Sequence, residues 1–74
     1  MLQTKAVIRN RIRIMRFDRG EMTQQQLADL VGVSRQTINA IESAKYFPSL
    51  EVAFRISLVF GKPLDEVFQC EFTK

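Results

Sequence analysis

The chain has no histidine and a single cysteine, Cys70. A zinc site built from those residue types is therefore excluded. One thiol cannot close an intramolecular disulfide, and so sparse a use of cysteine suits a reducing compartment. Cys70 has no basic neighbour in sequence that would make it a reactive thiolate, and it reads as apolar filler. No apolar run approaches the roughly 20 residues that cross a bilayer. The stretch Met1 to Ile8 is too polar for a signal peptide and lacks a cleavage pattern. These absences describe a cytoplasmic protein without a membrane segment, a metal or a cofactor. Enzyme chemistry also lacks its parts: there is no phosphate-binding glycine loop and no nucleophile beside an obvious base. Asp65 and Glu66 fit the first turn of a helix better than a catalytic pair.

At 74 residues the chain reads as a single domain, residues 1–74. A domain of this size buries only about 60% of its unfolded surface. Without metal or disulfides, a partner subunit is the expected source of further burial. The net charge is +3, but its distribution says more than its size. Lys5, Arg9, Arg11, Arg13, Arg16 and Arg19 crowd the first quarter, opposed there only by Asp18. The last third, with Glu51, Asp65, Glu66 and Glu71, is balanced to slightly acidic. A basic pole suits a polyanion; it equally suits a solvated helix face.

Glycine and proline are few, and they punctuate rather than accumulate: Gly20, Gly32, Pro48, Gly61 and Pro63. Short helices joined by tight turns follow. The first is expected from Asn10, as N-cap, to Arg19, with Ile8, Ile12 and Met15 facing the core and Gly20 stopping it. The second begins at Thr23, whose spacing to Gln26 is that of a capping box; Leu27, Ala28, Leu30 and Val31 supply its apolar face, and Gly32 ends it. The third is capped by Ser34, turns Ile38 and Ile41 inward and ends near Ser43. A loop, Ala44 to Pro48, leads to Ser49, the cap of a fourth helix that reaches about Phe60. After Gly61-Lys62-Pro63, a short fifth helix covers Leu64 to Phe68. Phe68, Cys70 and Phe72 alternate with polar residues, a period of two. This predicts a small antiparallel pairing with the segment Ala6 to Arg9.

Residues 23–43 carry the functional signal. Two helices joined by only Val31-Gly32-Val33 must cross steeply, which requires a small residue at the crossing and a turn that tolerates positive φ. Ala28 and Gly32 meet those needs. Arg35, Gln36, Asn39 and Ser43 then face outward, with Thr37 beside them. Arginine suits guanine, and glutamine or asparagine suits adenine, in the DNA major groove. The same spacing also occurs in ordinary helical bundles, where a polar face is merely solvated.

The order of several short stretches resembles the Cro/CI-type helix-turn-helix family, also called the XRE family. They are Ile12-Arg13-Ile14-Met15-Arg16, Met22-Thr23-Gln24-Gln25-Gln26-Leu27-Ala28 and Val31-Gly32-Val33-Ser34-Arg35-Gln36-Thr37-Ile38. Ile41-Glu42, Lys45-Tyr46, Pro48-Ser49-Leu50 and Pro63-Leu64-Asp65-Glu66-Val67-Phe68 continue them. The resemblance covers about residues 8 to 69 and is nearest to short members of the cytolysin-repressor type, which are dimers with a small sheet made from the two termini. It implies an all-α, five-helix, lambda-repressor-like DNA-binding domain carrying that sheet. It also implies roles. Arg35, Gln36 and Asn39 sit where the family reads bases, and Ala40 where it touches a thymine methyl. Gln24 corresponds to a phosphate-contacting glutamine. Lys45 and Tyr46 match a loop that grips the DNA backbone; Ser43 on the outward face of the third helix, and Thr37 beside it, are the further candidates for backbone contact. Arg16 and Glu42 correspond to an ion pair tying the first helix to the third.

Two departures from the family pattern stand out. Glu21 is an extra residue between Gly20 and Met22, in a loop that tolerates insertion. Ala44 replaces the glycine that usually follows the recognition helix; if left-handed, it carries about 1 kcal/mol of strain. The fourth helix is apolar almost all round, and Phe47, Phe54, Leu58 and Leu64 exceed what one small core can bury. They are the expected dimer interface, and a two-fold dimer would read a near-palindromic site. The leading expectation is thus a sequence-specific repressor binding double-stranded DNA as a homodimer. The alternative is an antitoxin or co-regulator acting mainly through protein–protein interaction, although no long disordered toxin-binding arm is present. No separate sensing domain is seen, so an inducing signal would act on stability, abundance or a partner.

Overall fold

The computed structural model describes residues 5–73. In chain order they form β1 (Lys5–Asn10), α1 (Ile12–Asp18), α2 (Gln24–Val31), α3 (Arg35–Glu42), α4 (Leu50–Phe60), α5 (Leu64–Val67) and β2 (Phe68–Thr73). The architecture is therefore five helices plus a two-stranded antiparallel sheet, rather than helices alone. β1 and β2 pair from Lys5↔Thr73 to Asn10↔Phe68, with Ile8 opposite Cys70.

Local sequence sets most helix ends. Thr23 accepts from the backbone N–H of Gln26 at 3.0 Å, and the Gln26 side chain accepts from the Thr23 N–H at 2.8 Å. Two amides that the helix cannot satisfy internally are thereby paired. Ser34 and Ser49 cap α3 and α4 in the same way, accepting from the N–H groups of Thr37 and Val52. Gly32 and Gly61 close α2 and α4 in left-handed geometry, at φ +85° and +62°.

Three helix C-termini also receive a side chain from a distant element. Arg55 Nη1 donates to the Val31 carbonyl at the end of α2, 3.2 Å away. Asn10 Nδ2 donates to the Ile41 carbonyl at the end of α3 at 3.0 Å. Arg19 Nη2 donates to the Phe60 carbonyl at the end of α4 at 2.7 Å. The Ile41 carbonyl also accepts from the Ala44 N–H at 3.0 Å; at the ends of α2 and α4 the donor is a cation, which complements the dipole there.

The core is a single cluster of Ile12, Leu27, Ala28, Val31, Ile38, Ile41, Ile56, Phe60 and Val67, with Met15, Met22 and Phe68 packed against it. Several expectations need correction. Leu30 is 63% exposed and does not belong to the inward face of α2. At about 100° per residue, Leu27, Ala28 and Val31 share an arc of about 100°, and Leu30 falls about 60° outside it. Ile8 lies in β1, half-buried, and not on the first helix. Asn10 stands one residue before the N-cap, Arg11, although its Oδ1 still accepts from the Ile12 N–H. Cys70 is exposed and fills nothing within the chain.

Candidate nucleic-acid interface

Helix α3 is amphipathic with a sharp boundary. At about 100° per residue, Arg35, Asn39, Ser43, Gln36 and Ala40 occupy one arc of about 140°. Of these, Arg35, Gln36, Asn39 and Ser43 are exposed and Ala40 is half-buried. Ile38 and Ile41 lie on the opposite side and are fully or almost fully buried. Thr37 and Glu42 stand at the two flanks.

The turn before α3 is fixed by Ala28, whose carbonyl accepts from the N–H groups of both Gly32 (2.8 Å) and Val33 (3.1 Å). Ala28 is itself fully buried where α2 meets α3, so a larger side chain would push the helices apart.

Behind α3 lies an ion pair closed to solvent. Arg16 Nε donates to Glu42 Oε2 at 2.6 Å, and Arg16 Nη2 to Glu42 Oε1 at 3.0 Å. Both side chains are only 9% exposed. Arg16 Nη1 also donates to the Met22 carbonyl at 2.7 Å. One guanidinium thus ties α1, the loop before α2 and the end of α3 together. Phe17 lies beneath two guanidinium groups, with Arg13 and Arg16 at 5.6 and 5.7 Å from its ring centre. Asn10, whose amide reaches the last carbonyls of α3, was legible in sequence only as a cap of the first helix.

The remaining sequence-predicted positions fall as follows. Gln24 opens α2 half-buried; its Nε2 donates to Glu42 Oε1, and its Oε1 accepts from Asn39 Nδ2, both at 3.4 Å. The Thr37 hydroxyl is engaged with Ser34 Oγ at 2.9 Å. The Ser43 hydroxyl donates to the Asn39 carbonyl at 2.9 Å, so a phosphate contact requires it to leave its own helix. Ala44 is left-handed at φ +59°. This turns the chain so that the N–H groups of Lys45 and Tyr46 both reach the Ala40 carbonyl, at 2.9 and 3.2 Å. Lys45 and Tyr46 are exposed just beyond the end of α3. The basic first quarter is partly consumed inside the fold. Arg16 and Arg19 hold structure, and Arg9 faces Glu71 across the sheet at 3.5 Å in an exposed pair.

A second exposed surface is apolar. Phe54 is 56% and Leu58 82% exposed on α4, and Phe47 is exposed in the loop before it. Leu64 is half-buried and lines a groove with Ile8, Phe54, Phe68 and Cys70.

Residues 14–67 match the helix-turn-helix family profile. The chain is 53% identical over 47 residues to an uncharacterized HTH-type transcriptional regulator of Methanocaldococcus jannaschii, covering 64% of this chain and 71% of the relative. A second such regulator, from Archaeoglobus fulgidus, is 46% identical over 61 residues, covering 82% and 86%. A third, from Bacillus subtilis, is 38% identical over 64 residues, covering 86% and 96%. With this likeness spanning the same helices that present the polar arc of α3, the chain belongs to the XRE-type helix-turn-helix family of transcriptional regulators.

Proposed function

We propose that this chain is a sequence-specific repressor that lays α3 in the major groove of double-stranded DNA, as a homodimer on a near-palindromic operator. The observation that carries the proposal is the polar arc of α3, held rigidly from behind by the enclosed Arg16–Glu42 pair. A helix meant only to be solvated needs no such backing. In this reading residues 1–74 are one lambda-repressor-like domain with residues 23–43 as its DNA-reading unit. Arg35, Gln36 and Asn39 hydrogen-bond base edges, and Ala40 meets a thymine methyl. Thr37, Lys45 and Tyr46 approach phosphates, joined by Ser43 if its hydroxyl turns outward; Gln24, placed with them by resemblance, is already engaged with Glu42 and Asn39. Phosphate contacts set register rather than sequence preference.

The dimer reading rests on Phe47, Phe54, Leu58 and Leu64. The pairing of β1 with β2 extends that surface, because Ala6, Ile8, Phe68, Cys70 and Phe72 share one sheet face. A two-fold axis through this surface presents two copies of α3, and a bound dimer blocks access to the DNA it covers. Among the described residues no helix is long and apolar enough to cross a membrane. The same apolar face would also serve a co-regulator or antitoxin, with another protein as its main partner.

Selection of fragments from a random DNA pool by the purified protein separates the two. The repressor reading expects enrichment of a near-palindrome whose half-site centres lie about 34 Å apart. No enrichment, together with specific capture of another protein in the absence of DNA, would favour the protein-interaction reading.

A further inference from the structure

The Glu42 carboxylate, through Gln24, governs which way the Asn39 amide faces. Amide oxygen and nitrogen are hard to tell apart by shape, so their assignment must follow from the partners. Here the partners decide it. A carboxylate held by a guanidinium can only accept hydrogen bonds. The Gln24 atom turned toward Glu42 Oε1 is therefore its Nε2, as found at 3.4 Å. That leaves Gln24 Oε1, an acceptor, facing Asn39, which must answer with its own Nδ2, again at 3.4 Å. The donors run in one direction, from Asn39 to Gln24 to Glu42, and Arg16 donates into the same carboxylate from the other side. A reversed Asn39 amide would set oxygen against oxygen.

We propose that Gln24 is a positioning residue for base recognition, and that this relay presets Asn39 to read adenine. The inference rests on the DNA-reading role of α3. With one N–H committed to Gln24, Asn39 keeps its carbonyl oxygen and its second N–H free on the exposed arc. One acceptor beside one donor complements adenine, which offers the N6 amino donor and the N7 acceptor. Guanine offers two acceptors, O6 and N7, and would face the Asn39 oxygen with O6. The role differs from a phosphate contact in kind: removing a phosphate contact weakens all DNA alike, whereas removing a positioning residue changes a preference.

The test is the base preference of wild type, Asn39→Ala, Gln24→Met and the double variant. Each is measured by titration on a selected site carrying each of the four bases in turn. Asn39→Ala identifies the position that Asn39 reads, as the one whose preference flattens. Gln24→Met keeps side-chain length and removes both hydrogen bonds. Thermal melting without DNA, repeated for Gln24→Ala, shows that the variants remain folded. The relay predicts adenine at that position in wild type. It also predicts a loss of about fivefold or more in adenine-over-guanine preference in Gln24→Met, at that position alone, with little further loss in the double variant. A uniform loss of affinity with the preference intact would overturn the relay and leave Gln24 a phosphate contact. A preference for another base at that position would overturn it as well. Absence of any sequence preference in wild type would instead remove the repressor reading itself, and the relay with it.

Discussion

Helices α3 and α4 each turn one face to solvent, and the two faces are opposite in chemistry. On α3 the exposed side chains are Arg35, Gln36, Asn39 and Ser43. The groups behind them are satisfied: Glu42 by Arg16, and the terminal carbonyl of Ile41 by Asn10. On α4 the exposed side chains include Phe54 and Leu58, with Leu50 at the start of the helix. The C-terminus of α4 is equally well held, by Gly61 and Arg19. Both helices are thus firmly fixed in place, and the difference lies in what their outer faces require. A polar arc is already stable in water. An apolar one gains about 25 cal/mol for each Å² removed from water. Two surfaces so unlike suit different partners, which the proposed function takes to be DNA for α3 and a second copy of the chain for α4.

The comparison breaks most visibly on the apolar side. Leu58→Asp and Phe54→Asp place a charge where the dimer reading expects burial. Both side chains are exposed within one chain, so the fold should survive. The protein should sediment as a monomer, and affinity for a two-half-site DNA should fall by about 10²–10⁴-fold, because joint binding of linked sites is lost. A wild type that sediments as a monomer at high concentration would remove that surface from the account.

Next in size is the support behind α3. Arg16→Ala should lower stability by about 3–5 kcal/mol in denaturant titration, because Glu42 would be left enclosed and unpaired. Arg16→Met combined with Glu42→Leu should recover much of that loss. A wild-type melting temperature for Arg16→Ala would mean that the pair contributes nothing. Smaller again, Asn10→Ala should cost about 1–3 kcal/mol, since two hydrogen bonds are lost, one to the Ile41 carbonyl, which keeps the Ala44 N–H, and one from the Ile12 N–H. A loss under about 0.5 kcal/mol would show water replacing the amide without penalty. The smallest effect has the opposite sign. Ala44→Gly should raise stability by up to about 1 kcal/mol by relieving the left-handed strain beyond α3. A lower melting temperature would show the added chain entropy outweighing that relief.

How much of this was legible in the sequence follows from the range of each interaction. The caps Thr23, Ser34 and Ser49 bond to amides three residues on, and Gly32 and Gly61 act where they stand, so their roles could be read directly. The terminal strands were legible from the alternation at Phe68, Cys70 and Phe72. What the sequence hid depends on contacts across the fold. Asn10, Arg19 and Arg55 find their carbonyls 31, 41 and 24 residues away. Leu30 looked buried because its neighbours are apolar, yet its direction on α2 points elsewhere. Ile8 matched helical spacing with Ile12 by coincidence of number, because β1 ends at Asn10 before the helix begins. Gln24 could be placed at the DNA face by resemblance, but its links to Glu42 and Asn39 emerge only once α2 and α3 are packed together.

The central claim, that the polar face of α3 reads DNA sequence, is tested most directly by titrating Gln36→Ala against the selected site and a scrambled one at two salt concentrations. The account predicts a loss of about 1–3 kcal/mol on the selected site, with little change on scrambled DNA and an unaltered salt slope, because a neutral side chain releases no counterions. Folding should be within about 0.5 kcal/mol of wild type, since the residue is exposed. If Gln36→Ala retains the full preference of wild type, or wild type itself binds both DNAs equally, α3 does not read sequence through this face.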